Sequence, residues 1–162
     1  MIITQDILND GEENPIKEML RESAAQIRDN ILKKPILITP FLKVKSNVAV
    51  AEVRIQDNLV FRREATSNEK SPIPIPIPKS QGGQFEPGID SYSKRPMNTD
   101  AEYKILSAIA DTLEMNYDLQ VEGYLYLYTE LYPCESCQGV FRQFEKKFPN
   151  IKVQVFWRYP YP

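Results

Sequence analysis

Residues 121–157 read VEGYLYLYTELYPCESCQGVFRQFEKKFPNIKVQVFW, and this stretch decides the fold. Tyr124, Tyr126 and Tyr128 alternate with Leu125 and Leu127, the two-residue period of a strand with two different faces, over 121–129. From about Cys134 to Lys147 the period changes. Val140, Phe141, Phe144 and Phe148 recur at helical spacing, and Phe148-Pro149-Asn150 ends the helix. Ile151, Val153, Val155 and Trp157 then alternate as a second strand. Strand, helix and strand in so short a stretch predict a right-handed parallel crossover, hence a sheet with helices packed on it.

Upstream, Thr99-Asp100-Ala101-Glu102 opens another helix, with Ile105, Leu106, Ile109 and Leu113 on one face. Residues 71–98 carry Pro72, Pro74, Pro76 and Pro78 in an Ile-Pro alternation, then Gly82-Gly83 and Pro87-Gly88. Proline at every second position removes the amides a ladder or helix needs, so this is a long loop, partly polyproline II. A loop of that length serves either as a substrate lid or as an exposed spacer. Residues 47–55 contribute Val48, Val50, Val53 and Ile55, Gln56-Asp57-Asn58 turn, and Leu59 to Ala65 return as a β-hairpin. Asn14-Pro15 is an N-cap with proline at the first helical position. Ile16, Met19, Leu20, Ile27 and Ile31 follow as an amphipathic helix ending before Pro35. Residues 1–13 are polar and acidic, and are expected to be loose and dispensable for folding. The order is α, hairpin, loop, α, β, α, β: an α/β protein with a mixed sheet. It divides into an N-terminal acidic segment and helix (1–44) and a main domain (45–162).

Composition sets the outer bounds. The chain has 162 residues, 42% of them apolar, enough for one domain with a substantial core. No apolar run approaches a membrane span, and no basic-then-apolar leader opens the chain. Net charge is −2; within 1–20, five carboxylates face Lys17 alone, so the remainder is about +2. The footprint of a strongly basic binder is missing, and Arg62-Arg63, Lys94-Arg95 and Lys146-Lys147 are either a local basic strip or solvated charges. Histidine is absent, which excludes Ser-His-Asp, Cys-His and His-metal chemistry.

The chemistry concentrates in two motifs. Pro133-Cys134-Glu135-Ser136-Cys137 holds both cysteines, one turn apart at a helix start, where thiolates lie close and the helix dipole favours them. That suits a metal or redox pair ahead of a structural buried pair. Thr99-x-x-Glu102 alone is a capping box. Two thiolates, one further ligand and an uncoordinated Glu also make a zinc hydrolytic site, with a fourth position left for water.

Taken together, these motifs resemble the zinc-dependent cytidine deaminase-like superfamily, and most closely its bacterial toxin-type nucleic-acid deaminases. The resembling residues are Asn47-Val48-Ala49-Val50-Ala51 to Asn68, Asp100 to Leu106, Gly123 through Cys137, and Phe144 to Val155, roughly residues 45–158. The resemblance implies a three-layer α/β/α fold, an opening hairpin and helices on both faces. It implies Zn2+ held by Cys134, Cys137 and Asp100, the last at a position usually held by His or Cys. Glu102 would take a proton from the water, protonate the ring nitrogen and pass a proton to the leaving ammonia. Ala51, Thr66, Ser67, Asn68, Ala101, Thr129, Tyr132 and Pro133 fall where relatives contact the nucleotide; Thr66-Ser67-Asn68 are equally hairpin-end turn residues. Tyr132, Tyr92 and Phe85 are candidate base stackers.

The activity implied is hydrolysis of cytosine to uracil within nucleic acid, DNA ahead of RNA. The expected partners are the nucleic acid and an immunity protein. The chain would act in the cytoplasm, or as a secreted toxin domain in the cytosol of a target cell, and it would be a whole protein or the toxin portion of a larger one. Three alternatives stay open: a free-nucleoside deaminase, a thioredoxin-like oxidoreductase on the Cys-x-x-Cys pair, and an inactive zinc-bound binding module.

Overall fold

In the computed structural model of the chain, the described residues are 1–7, 11, 14–32, 46–55, 59–67, 71–89, 91, 93–94 and 96–160. Among them the elements are β1 (Ile2–Gln5), α1 (Pro15–Ile27) continued by a π-helical turn (Arg28–Leu32), β2 (Val48–Ile55), β3 (Leu59–Thr66), α2 (Ala101–Asn116), β4 (Gly123–Leu131), α3 (Glu135–Lys147) and β5 (Ile151–Tyr159). The strands form a sheet of order β1-β5-β4-β2-β3. β2 pairs antiparallel with β3 and β4, while β5 pairs parallel with β4 and β1. The sheet is therefore mixed, as the sequence predicts. The hairpin turn Gln56-Asp57-Asn58 and Pro35 lie outside the described residues.

The period of two decides which side chains meet which helix. Val53, Leu125, Leu127, Val153 and Val155 turn to one face and bury against Ile105, Leu106 and Ile109 of α2 and Phe141 and Phe144 of α3. Val48, Val50, Tyr128 and Phe156 turn to the other, against Leu20, Ala24 and Ile27 of α1. Each such side chain contributes about 1.5–3 kcal/mol on burial. Both faces of the sheet thus carry helices, the α/β/α architecture of a deaminase-like fold. Asn14 caps α1 as expected, its side chain accepting from the Lys17 amide with Pro15 at the first position.

One expectation about the fold needs correction. The N-terminus is not loose: Ile2–Gln5 form a strand in parallel register with β5, and Asp6 is buried between Arg21 and Tyr128. Its polar composition misleads because β1 is a short edge strand, held by backbone pairing with only Ile3 partly covered. The proline-rich loop, exposed at Ile75, Ile77 and Ile89, is nonetheless anchored to the core. Phe85 is buried, packs edge-on against Phe144 at 6.2 Å, and accepts at its carbonyl from the Tyr103 hydroxyl at 3.1 Å. At Gly88 the loop lies so close to α3 that a Cβ would stand 2.2 Å from Ser136 Cβ. Among the described residues no helix is long and apolar enough to cross a membrane.

Candidate active site

β4 ends at Leu131, the chain crosses Tyr132-Pro133, and α3 begins with Cys134 as its N-cap residue. Cys137 follows one turn later, so the two sulfurs come within 3.1 Å. α2 begins beside it with Asp100 as N-cap, but the Asp100 side chain makes no capping bond. Its Oδ2 instead lies 3.1 Å from Cys137 Sγ and 3.8 Å from Cys134 Sγ. Among the described residues these three side chains form the group able to hold a metal ion, with donor atoms all within 4.8 Å of one another.

The capping-box reading of Thr99-x-x-Glu102 does not hold. The helix starts at Ala101, and Glu102 turns into the protein, 3% exposed. Its Oε1 accepts from Asn47 Nδ2 at 2.9 Å and from Thr129 Oγ1 at 2.7 Å, while Oε2 lies 3.5 Å from Cys137 Sγ. Asn47 is fixed in turn. Its Oδ1 accepts from the Leu131 amide at 3.1 Å, and its own amide donates to Ser67 Oγ at 2.7 Å. A carboxylate held on one oxygen by two donors has its other oxygen aimed in one direction, here toward the sulfurs.

Electrostatically the site is a knot of acids. Burial, then the charge of Cys134, pushes the Asp100 carboxyl up to about 6. Burial, then the charge of Asp100, raises Glu102. Hydrogen bonds from Cys137 and Ser136, opposed by burial, bring the Cys134 thiol down to about 6, whereas its bond to Cys134 and burial push Cys137 well up. Buried anions placed this close call for a cation. Zinc fits the donor set: Zn–S near 2.3 Å puts two tetrahedral sulfurs about 3.8 Å apart, within reach of the observed pair by small side-chain rotations.

A groove of about 310 Å³ opens beside Cys134, lined by Ile89, Met97, Tyr132, Pro133 and Gln138 among others. Of the residues singled out in the sequence, Asp100, Cys134, Cys137 and Glu102 come together. Thr129 bonds Glu102, Ala101 is the buried first residue of α2, and Tyr132 and Pro133 line the groove. Ser67 supports Asn47, and the Thr66 carbonyl accepts from the buried Lys104 ammonium at 2.8 Å. Ala51 lies elsewhere: it is fully buried in the core beneath α2, paired with Leu127 and Arg63. Phe85 is a core anchor, and Tyr132 stands edge-on to Trp157 at 5.0 Å. Asn68 and Tyr92 lie outside the described residues. Asn47 is the residue the sequence leaves unassigned a role; a single Asn ahead of a strand carries no spacing signal, and its function comes only from tertiary contact.

A carboxylate at one helix start, Pro-Cys-x-x-Cys at the next, and a buried Glu between them, on an α/β/α fold, define a member of the cytidine deaminase-like superfamily. Residues 78–158 match the family model of the toxin-deaminases described as the BURPS668_1122 family of deaminases, and the chain belongs to that family. Among curated proteins, none matches the chain. It is thus a deaminase of toxin type, an enzyme acting on C–N bonds. The thioredoxin-like alternative, drawn from strand, Cys-x-x-Cys and helix alone, gives way to the family match and to the carboxylate set against the cysteine pair.

Proposed function

We propose that the protein is a zinc-dependent hydrolytic deaminase that converts cytosine to uracil in nucleic acid, with DNA ahead of RNA. The observation that carries this reading is the convergence of Asp100, Cys134 and Cys137 beside a buried, oriented Glu102. Asp100, Cys134 and Cys137 would hold the zinc ion, which supplies a Lewis acid that acidifies a bound water. Two thiolates and one carboxylate overbalance a divalent cation by one charge, so that water is less acidic than at a site with a neutral imidazole.

That places more of the proton work on Glu102. Asn47 and Thr129 hold Oε1, leaving Oε2 on the side of the sulfurs to accept the proton of the attacking water. The same oxygen then gives that proton to the ring nitrogen, takes a second from the hydroxyl newly bonded to the attacked carbon as its C=O forms, and passes it to the amine as the C–N bond breaks, so one carboxylate serves each transfer in turn. Burial excludes bulk water from that exchange. The groove beside Cys134, with Tyr132, Ile89 and Met97 on its walls, supports a planar base as the group admitted. A toxin domain of this type would be held in check by an immunity protein in the cell that makes it.

The test is a substrate panel. Single-stranded DNA, duplex DNA and RNA are incubated with the protein and read by sequencing, and free cytidine is followed by ammonia release. Deamination of a polymer is the expected result; release from free cytidine alone would move the assignment to a nucleoside deaminase.

A further inference from the structure

The sheet face under α1 is only half covered. α1 lies over Val48, Val50, Tyr128 and Phe156, at the end of the sheet nearest the active site. Two and four residues earlier on β4, the same face presents Tyr126 and Tyr124, and Tyr124 is 45% exposed. Tyr126 is partly buried at the rim of the α1 cluster, and Tyr124 lies beyond it. Their rings are stacked, 6.0 Å between centroids and 10° from parallel. On one flank Lys152 of β5 stands opposite Tyr124 in register, its ammonium 5.8 Å from the ring centroid. On the other flank Arg54 of β2 stands opposite Tyr124, and Arg62 lies one strand further.

Arg54, Tyr124, Tyr126 and Lys152 border an open groove of about 660 Å³ that Pro149 and Asn150 close at one end, while Arg62 lines a neighbouring groove beside α1. Arg54 and Arg62 share the single buried carboxylate of Glu52, at 2.8 and 3.0 Å. Two cations, Lys152 and Arg54, therefore line the groove with one exposed carboxylate, Glu122, and Arg62 stands beside Glu64 on the neighbouring strand. Gly123 opens the strand because β2 passes too close for a side chain: a Cβ there would stand 2.5 Å from the Arg54 carbonyl oxygen.

We infer that this open half of the sheet is a platform for single-stranded nucleic acid, with bases stacking on Tyr124 and the uncovered part of Tyr126 and phosphates meeting Lys152 and Arg54. An exposed tyrosine stacked on a half-buried one and flanked by cations matches a polymer that alternates π faces with anionic links. The platform begins at Gly123, eight residues along β4 from Leu131, or roughly 26 Å from the catalytic end. It would hold a stretch of strand flanking the target base, not the base itself. The inference rests on the reading of the substrate as nucleic acid.

The test uses the whole chain and labelled 12-mers of deoxythymidine and of uridine, which contain no cytosine and so bind without turnover. Fluorescence anisotropy gives Kd for wild type, for the double variant Tyr124→Ala/Tyr126→Ala, and for Lys152→Glu, an exposed site that tolerates substitution. Expected is a rise in Kd of about tenfold or more for the double variant. For Lys152→Glu, Kd should rise and the slope of log Kd against log salt should fall by about one. Comparing the two oligomers tells DNA from RNA. Failure of wild type to bind either oligomer overturns the platform, as does binding that stays within twofold in variants whose melting curves are native. The substrate reading is judged separately, by deamination of cytosine-containing strands. Polymers deaminated but bound equally by the variants sink the platform alone; binding that depends on the tyrosines, with no polymer deaminated, sinks the substrate reading alone.

Discussion

Substituting Asp6 by Ala should cost several kilocalories, although Asp6 sits in a stretch whose composition suggests a loose tail. The carboxylate is fully buried and accepts from Arg21 Nε at 2.7 Å, Arg21 Nη2 at 2.6 Å and the Tyr128 hydroxyl at 2.8 Å, with Lys17 Nζ at 3.6 Å. Removing one partner of a buried pair costs about 3–5 kcal/mol, and Arg21 retains some solvent, so about 3 kcal/mol is expected. For a chain of this size that is a fall in Tm of roughly 6–12 °C. The pH dependence follows from the sign of the shift. Burial alone would raise the Asp6 carboxyl, but the bonds from Arg21 and Tyr128 and the charges of Arg21 and Lys17 outweigh it and hold the carboxyl below its ordinary 3.8. With the folded value below the unfolded one, the stabilisation is complete above about pH 4 and is lost as pH falls through the folded value. Thermal melts of wild type and Asp6→Ala should therefore differ most near neutrality and converge in acid. Equal Tm values at pH 7, or a gap that widens in acid, would refute the reasoning. Deleting residues 1–7 removes β1 as well and should cost at least as much.

Asn47→Ala removes a donor from Glu102 and leaves the Leu131 amide without its acceptor, so a loss of about 1–3 kcal/mol in chemical denaturation is expected. Deamination by the same variant should fall mainly in kcat, since the substrate groove is untouched; a change confined to KM would contradict the role assigned to Asn47. Gly88→Ala forces the loop away from Ser136, and activity should fall with little change in bound zinc, measured by mass spectrometry of the metal. Wild-type activity there would show that the loop's contact with α3 is immaterial. Arg28→Ala strands the buried Glu130, which Arg28 grips through Nε and Nη2 and which also accepts from the Val48 amide. A loss of about 3–5 kcal/mol is expected in urea unfolding, and a loss below 1 kcal/mol would mean the pair is dispensable.

The elements of the main sheet and its helices were legible because their periods are clean. Tyr124 to Tyr128 alternate, and Val140, Phe141 and Phe144 follow helical spacing, so strand and helix separate without tertiary information. Cys134 and Cys137 were legible because their spacing is itself a constraint of geometry. What escaped depended on contacts distant in sequence. Ile2–Gln5 are a strand only because β5 offers an edge for them to pair with. Asn47 becomes part of the site through bonds to residues 55 and 84 positions away. Thr99-x-x-Glu102 matched a local capping pattern, but the start of α2 at Ala101 turned Glu102 inward instead. Ala51 illustrates the converse: its place on the hairpin suggested a base contact, and the sheet buried it in the core.

The central claim is tested most directly by sequencing cytosine-containing single-stranded DNA after incubation with wild type and with Glu102→Gln, both folded and loaded with zinc to the same level. The account predicts C-to-U changes with wild type that fall by at least about a hundredfold in the variant, in line with loss of a general acid–base group. Deamination that persists in Glu102→Gln would contradict the role of this carboxylate, and no deamination by the zinc-loaded wild type on DNA, RNA or free cytidine would contradict the assignment of a working cytosine deaminase.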